Sequence, residues 1–170
     1  MHVLIIGAAG MVGRKLTDAL VADGGIGCQA IERLTLVDVI EPSAPAGFTG
    51  RVDRIAADLS TPGTSAKLVA DRPGMIFHLA AIVSGEAEAD FDKGYRINLD
   101  GTRELFDAIR LIGDGYKPRI VFTSSIAVFG SPFPQTIPDE FFTTPLTSYG
   151  TQKAIGELLL SDYSRRGFFD

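Results

Sequence analysis

Short apolar runs punctuate the chain at residues 3–6 and within 33–39, 52–56, 75–79 and 119–123, the third weaker than the rest. Runs this short and continuous suit strands buried on both faces of a parallel sheet, because a strand with one wet face would alternate instead. Between them, apolar residues recur at helical spacing. Residues 11–22 predict a helix with Val12, Leu16, Ala19 and Leu20 on its inner face, and 65–71 predict a short one. Residues 91–112 predict a long helix packed through Ile97, Leu105, Ala108, Ile109 and Ile112, and 146–165 a last one with Ile155, Leu158 and Leu159 inward. Strand and helix in turn imply a doubly wound α/β parallel sheet, with right-handed crossovers placing helices on both faces. Residues 41–50 and 130–145 predict surface loops. The second carries Pro132, Pro134, Pro138 and Pro145 and leaves the carboxyl end of a strand, where open α/β sheets bind ligands. No internal repeat or low-complexity tract interrupts this order.

The first strand runs into Gly7-Ala8-Ala9-Gly10-Met11-Val12-Gly13, which opens the first helix. In that position Gly7 permits a tight turn, Gly10 lets a pyrophosphate approach the backbone, and Gly13 allows close packing of helix on strand. The helix start offers free N–H groups and a partial positive charge to phosphates. The spacing is GxxGxxG rather than GxGxxG. The second strand ends in Asp38, whose carboxylate suits the adenosine ribose hydroxyls and repels a 2′-phosphate, and no Lys or Arg stands at 39 or 40. This favours NAD over NADP.

Tyr149-Gly150-Thr151-Gln152-Lys153 opens the last helix, and positions i and i+4 share a face. A free phenol ionises only near pH ~10, and an ammonium beside it favours the phenolate. Tyr149 then suits the removal of a hydroxyl proton while hydride leaves the same carbon. The fifth strand ends in Thr123-Ser124-Ser125, where a hydroxyl can bond the substrate oxygen.

The chain has 170 residues, enough for one domain with a core, and a net charge of -5, which argues against a nucleic-acid surface. No apolar run approaches the ~18 to 20 residues that span a bilayer. The apolar start lacks a basic leader and is interrupted by glycines, so it does not read as a signal peptide. Cys28 is the only cysteine and reads as a small apolar filler in a chain suited to a reducing, cytoplasmic setting. The acidic run Glu86, Glu88, Asp90 and Asp92 reads as a solvated face, and His78 as a core residue at a strand end. Arg96 reads as a surface or helix-packing arginine. No metal site is apparent.

These motifs together resemble the extended short-chain dehydrogenase/reductase family, the NAD-dependent epimerases and dehydratases, over essentially the whole chain. Ala57-Asp58-Leu59 is similar to the family's adenine-contacting segment, His78-Leu79-Ala80-Ala81 to the end of its fourth strand, and Asn98 to Thr102 to its NxxGT helix motif. The resemblance implies a Rossmann-type domain over 1–170 carrying a Ser125–Tyr149–Lys153 triad, with the family's C-terminal substrate lobe missing from this chain. It implies cofactor contacts from Gly7, Gly10, Met11, Val12, Gly13, Asp38, Asp58, Leu59, Leu79, Ala80, Ala81, Asn98, Ser124, Tyr149 and Lys153, the last holding the nicotinamide ribose. Substrate contacts would come from Val83, Ser84, Ser125 and Tyr149. The family's dehydratases carry an Asp-Glu pair where this chain has Ile126 and Ala127, which cannot move protons. The stretches 80–102, 123–130 and 144–160 are similar to the D-erythronate dehydrogenase subgroup. The resemblance thus points to hydride transfer between NAD and a secondary alcohol of a sugar acid. A nucleoside-diphosphate-sugar epimerase retaining NAD, and a truncated or non-catalytic NAD-binding module, stand as alternatives. A homodimer through the helices after the fourth and fifth strands is implied by resemblance alone.

Overall fold

The computed structural model describes all of residues 1–170. It opens on β1 (His2–Ile6) and turns at Gly7 into α1 (Met11–Asp23). A small antiparallel hairpin follows, β2 (Gly25–Ile26) and β3 (Gln29–Ala30), then β4 (Arg33–Asp38), β5 (Arg51–Ala56), α2 (Thr64–Val69) and β6 (Met75–His78). Next come α3 (Ser84–Ala89), α4 (Phe91–Gly94), a π-helical turn (Tyr95–Asp100) and α5 (Gly101–Ile112). After β7 (Arg119–Phe122) and a long irregular stretch, α6 (Ser148–Arg165) completes the order.

The main sheet has five strands, all parallel, in the order β5-β4-β1-β6-β7. This is the doubly wound Rossmann-type arrangement, and its order reverses beside β1, where such sheets leave a crevice at their carboxyl ends. Both faces are covered along β1, β4 and β6, as continuous apolar strands require, while the edge strands β5 and β7 keep exposed residues, Val121 of β7 among them. Along β1, Leu4 and Ile6 enter one core with Val37, Ile76 and Ile120, roofed by Leu68 and Val69 of α2 and by Leu105, Phe106 and Ile109 of α5. Val3 and Ile5 enter the other with Leu34, Leu36 and Phe77, under Leu20 of α1. Phe169 fills the first core, and Asp170 makes one rung of parallel pairing outside β7, donating to Pro118 O and accepting from Ile120 N. No helix is long and apolar enough to cross a membrane.

Four expectations need correction. The inner face of α1 is Gly13, Thr17 and Leu20, with Leu16 half-buried, Ala19 exposed and Val12 54% exposed. The helix is turned so that Gly13 meets the Gly7 carbonyl, where a Cβ would stand 2.1 Å from the oxygen. In α6 the buried face is Gly150, Gln152, Lys153, Ala154 and Gly156, while Leu158 is 67% exposed and Ile155 and Leu159 are half-buried. Small residues let this helix sit directly on the sheet: a Cβ at Gly156 would lie 2.9 Å from the Phe122 ring. The long helix over 91–112 is interrupted by the π-helical turn, which carries Asn98 inside. Cys28 is exposed on the hairpin and fills no core.

Candidate active site

A groove of about 400 Å³ opens at the carboxyl ends of β1, β4, β5 and β6, a volume in the range of small-ligand sites. Its lining includes Gly7, Gly10, Asp38, Asp58, Leu59, Leu79, Ala80 and Ala81 among the sequence-predicted cofactor residues, with Ile82 and Ile97 beyond them. Gly7 has φ +91° and lies so close to the β6 end that a Cβ would be 2.7 Å from Ala80 N. Only glycine meets both demands. The backbone N–H groups of Met11, Val12 and Gly13 have no acceptor within the chain, so the start of α1 presents free donors beside Gly10.

Asp38 is held by the loop it faces. Its Oδ2 accepts from Ala9 N at 2.9 Å and its Oδ1 from Val39 N at 2.8 Å. Each carboxylate oxygen keeps a further lone pair for ribose hydroxyls. No lysine or arginine lines the groove, so nothing there would neutralise a 2′-phosphate. Asp58 accepts from Ser60 N and Oγ, and Arg96 stands 3.7 Å from its Oδ2 and bonds Ser60 Oγ at 3.0 Å. Arg96 is thus committed to this turn at the far side of the groove. These features fit NAD: free N–H donors, a carboxylate and a slot that a Cβ would fill.

The triad candidates stand past the β6 end, on β7's exit and α6. Thr147 caps α6 by accepting from Gly150 N at 3.0 Å, and Glu88 of α3 accepts from Ser148 N. Glu88 therefore anchors the helix start that carries Tyr149, a role the acidic run did not reveal. Gly150 lets the helix meet the turn after Ser125, since a Cβ there would stand 2.1 Å from Ala127 O. Ser125 Oγ accepts from Ala127 N at 3.2 Å, leaving its own proton free to donate. Lys153 is only 2% exposed and donates from Nζ to Thr123 O at 2.9 Å. Its ammonium lies 5.9 Å from the centre of the Tyr149 ring and 4.7 Å from that of Phe122. Burial pushes its pKa down to about 8.

His78, at the end of β6, joins groove and triad. Thr123 N and Oγ1 donate to its carbonyl, and its Nε2 bonds Thr102 Oγ1 at 2.8 Å. Burial, with the Lys153 charge beside it, lowers its pKa to about 3, so the ring is neutral. Of the remaining candidates, Ser124 is exposed, Val83 is exposed at the cap of α3, and half-buried Ser84 opens that helix. Val83 and Ser84 do not line the groove. Asn98 lies beneath the site, bonded to the backbone of Ile82.

The model of the NAD dependent epimerase/dehydratase family matches residues 3–169. The chain belongs to that family. Its relatives are named dehydrogenases and epimerases. It is 49% identical to the D-erythronate dehydrogenase of Cupriavidus necator, over 100% of this chain and 52% of that protein. A solved nucleoside-diphosphate-sugar epimerase from Agrobacterium tumefaciens superposes with a TM-score of 0.99 at 75% identity, over 100% of this chain and 50% of that one. UDP-glucose 4-epimerase from Brucella ovis, solved in complex with NAD, gives a TM-score of 0.79 at 27% identity over 99% of this chain and 49% of that one. The chain spans about half the length of the curated relatives it matches. NAD is the family's cofactor.

Proposed function

We propose that the chain forms the NAD-binding and catalytic part of an enzyme that oxidises a secondary alcohol of a sugar acid of the D-erythronate type. The observation that carries this reading is the placement of Lys153, buried against Thr123 O with its charge facing the Tyr149 ring. Asp38 and the N–H groups of α1 would hold NAD at the ribose and pyrophosphate, with Gly7, Gly10 and the 79–81 segment shaping the slot. When bound, NAD supplies the hydride acceptor. Ser125 donates a hydrogen bond to the substrate oxygen, and Tyr149 takes the hydroxyl proton from that oxygen as the carbon loses hydride and becomes a carbonyl. The Lys153 ammonium stabilises the negative charge carried by the tyrosine oxygen. Ile126, 87% exposed on the turn after Ser125, offers no acid or base for an elimination.

The likeness to a protein named as a nucleoside-diphosphate-sugar epimerase supports a second reading, in which the same groups oxidise and re-reduce one carbon with NAD retained. The chain, and the same sequence continued to the length of its relatives, is mixed with NAD and a panel of sugar acids and nucleotide sugars. Net NADH with D-erythronate supports the dehydrogenase. Interconversion of nucleotide sugars without net NADH supports the epimerase, and NAD binding without turnover by either version rejects both. A homodimer through α5 and α6 belongs to the same proposal, supported by exposed Leu111 and Leu158 on those helices. So does a cytoplasmic setting, supported by a single, unbridged cysteine.

A further inference from the structure

Between Tyr149 and Lys153 lies Gln152, fully buried at 0% exposure although its side chain is polar. Its Oε1 accepts from Asn98 Nδ2 at 2.8 Å. Asn98 in turn grips one residue of the groove's mouth by both backbone groups, its Oδ1 accepting from Ile82 N at 2.9 Å and its Nδ2 donating to Ile82 O at 3.1 Å. Those two bonds fix which way the Asn98 amide faces. Its second Nδ2 proton then needs an acceptor, which fixes Gln152 with Oε1 towards it. Gln152 Nε2 is left without a partner, in the space that Gly94 vacates: a Cβ at Gly94 would lie 2.8 Å from it. The amide is therefore held for its acceptor oxygen. The π-helical turn is what brings Asn98 within reach, and Thr102 Oγ1 donates to Asn98 O to secure it.

We propose that Gln152 is a positioning residue: through Asn98 it locks the face of α6 carrying Tyr149 and Lys153 to the backbone of Ile82 at the mouth of the cofactor groove. Lys153 is tied to the end of β7 and Gln152, beside it, to the loop after β6. The two attachments fix both the rotation and the height of the helix start. Removing one leaves α6 folded but free to shift relative to bound cofactor and substrate. The inference rests on the roles of Tyr149 and Lys153 proposed above.

The test compares Gln152→Met, which keeps the volume and loses the acceptor, with Gln152→Glu, which keeps an acceptor oxygen. In Gln152→Met the Ile82 amide exchanges with deuterium about tenfold faster, the equivalent of one lost hydrogen bond. In the active enzyme kcat falls about tenfold to a hundredfold, while NAD affinity changes by less than about threefold. Gln152→Glu recovers a substantial part of both kcat and Ile82 protection. Wild-type exchange and wild-type kcat in Gln152→Met would overturn the proposal, as would a Glu variant no better than Met. If the wild-type enzyme turns over no substrate in the panel, the proposed function falls. The exchange comparison at Ile82, made on the protein without substrate, then still decides whether the lock exists.

Discussion

Lys153 Nζ donates to the main-chain carbonyl of Thr123 across 2.9 Å, deep in the seam between α6 and the end of β7. The bond seats the ammonium, yet its burial still lowers the pKa from 10.5 to about 8. At neutral pH the folded state thus holds a proton on worse terms than the unfolded chain, so the charge costs stability. That cost is full below pH 8 and vanishes as pH rises through 10.5, where the unfolded chain also loses the proton. Lys153→Met is predicted to raise stability at pH 7 by about 1–3 kcal/mol and to abolish turnover. Urea unfolding at pH 7 and above pH 10 checks it, with the gain confined to the lower pH.

His78 makes a second pH-dependent contribution. Its ring is held neutral, with a pKa lowered from 6.5 to about 3, mainly by burial. The unfolded chain takes up this proton first, so stability present above pH 6.5 is lost as pH falls towards 3, at up to about 1.4 kcal/mol per pH unit. His78→Gln is the informative variant because an amide can still reach Thr102 without titrating. Unfolding midpoints measured from pH 7 to pH 4 are predicted to fall less steeply in His78→Gln than in the wild type.

Gly13 is required by space rather than by backbone angle. A Cβ there would lie 2.1 Å from Gly7 O and 2.7 Å from Ala8 Cα, both main-chain atoms. Gly13→Ala must push α1 off the loop that its N–H groups serve, and is predicted to cost about 3 kcal/mol or more together with most NAD affinity. Thermal unfolding and calorimetric titration with NAD measure the two losses separately.

Asp38 holds the loop it faces and, in the proposed function, also binds the adenosine ribose. Asp38→Ala removes the acceptor for Ala9 N and Val39 N and the repulsion of a 2′-phosphate. NAD affinity is predicted to fall about tenfold to a hundredfold, in line with the loss of charge-assisted hydrogen bonds. NADP affinity should fall less, so the preference narrows. Parallel titrations with the two dinucleotides give the ratio.

The sequence made legible what short-range chemistry dictates. Short apolar runs marked the five strands of the main sheet, β5 most weakly, and the glycine spacing with Asp38 marked the groove, because those residues act through backbone space and one carboxylate. What escaped depended on partners distant in the chain. The face of α1 is set by Gly13 meeting Gly7, a contact that hydrophobic periodicity does not weigh. Glu88 looked like one charge in a solvated run until α3 carried it to Ser148 N. The π-helical turn has no periodic signature, although Asn98 within a helical pattern was a hint that its side chain had a buried partner. The hairpin of β2 and β3 is too short for alternation to register. Gln152 sat unnoticed inside the Tyr-to-Lys spacing itself.

In the proposed function Tyr149 performs the proton transfer in an NAD-linked oxidation of a sugar acid. The direct measurement is NADH formation from NAD and D-erythronate by the wild-type enzyme and by Tyr149→Phe, a variant that removes one oxygen and leaves the α6 caps at Gly150 and Ser148 in place. Steady NADH accumulation is expected in the wild type, with a loss of about a hundredfold or more in Tyr149→Phe and NAD binding retained. Equal rates for the two proteins would rule out Tyr149 as the base.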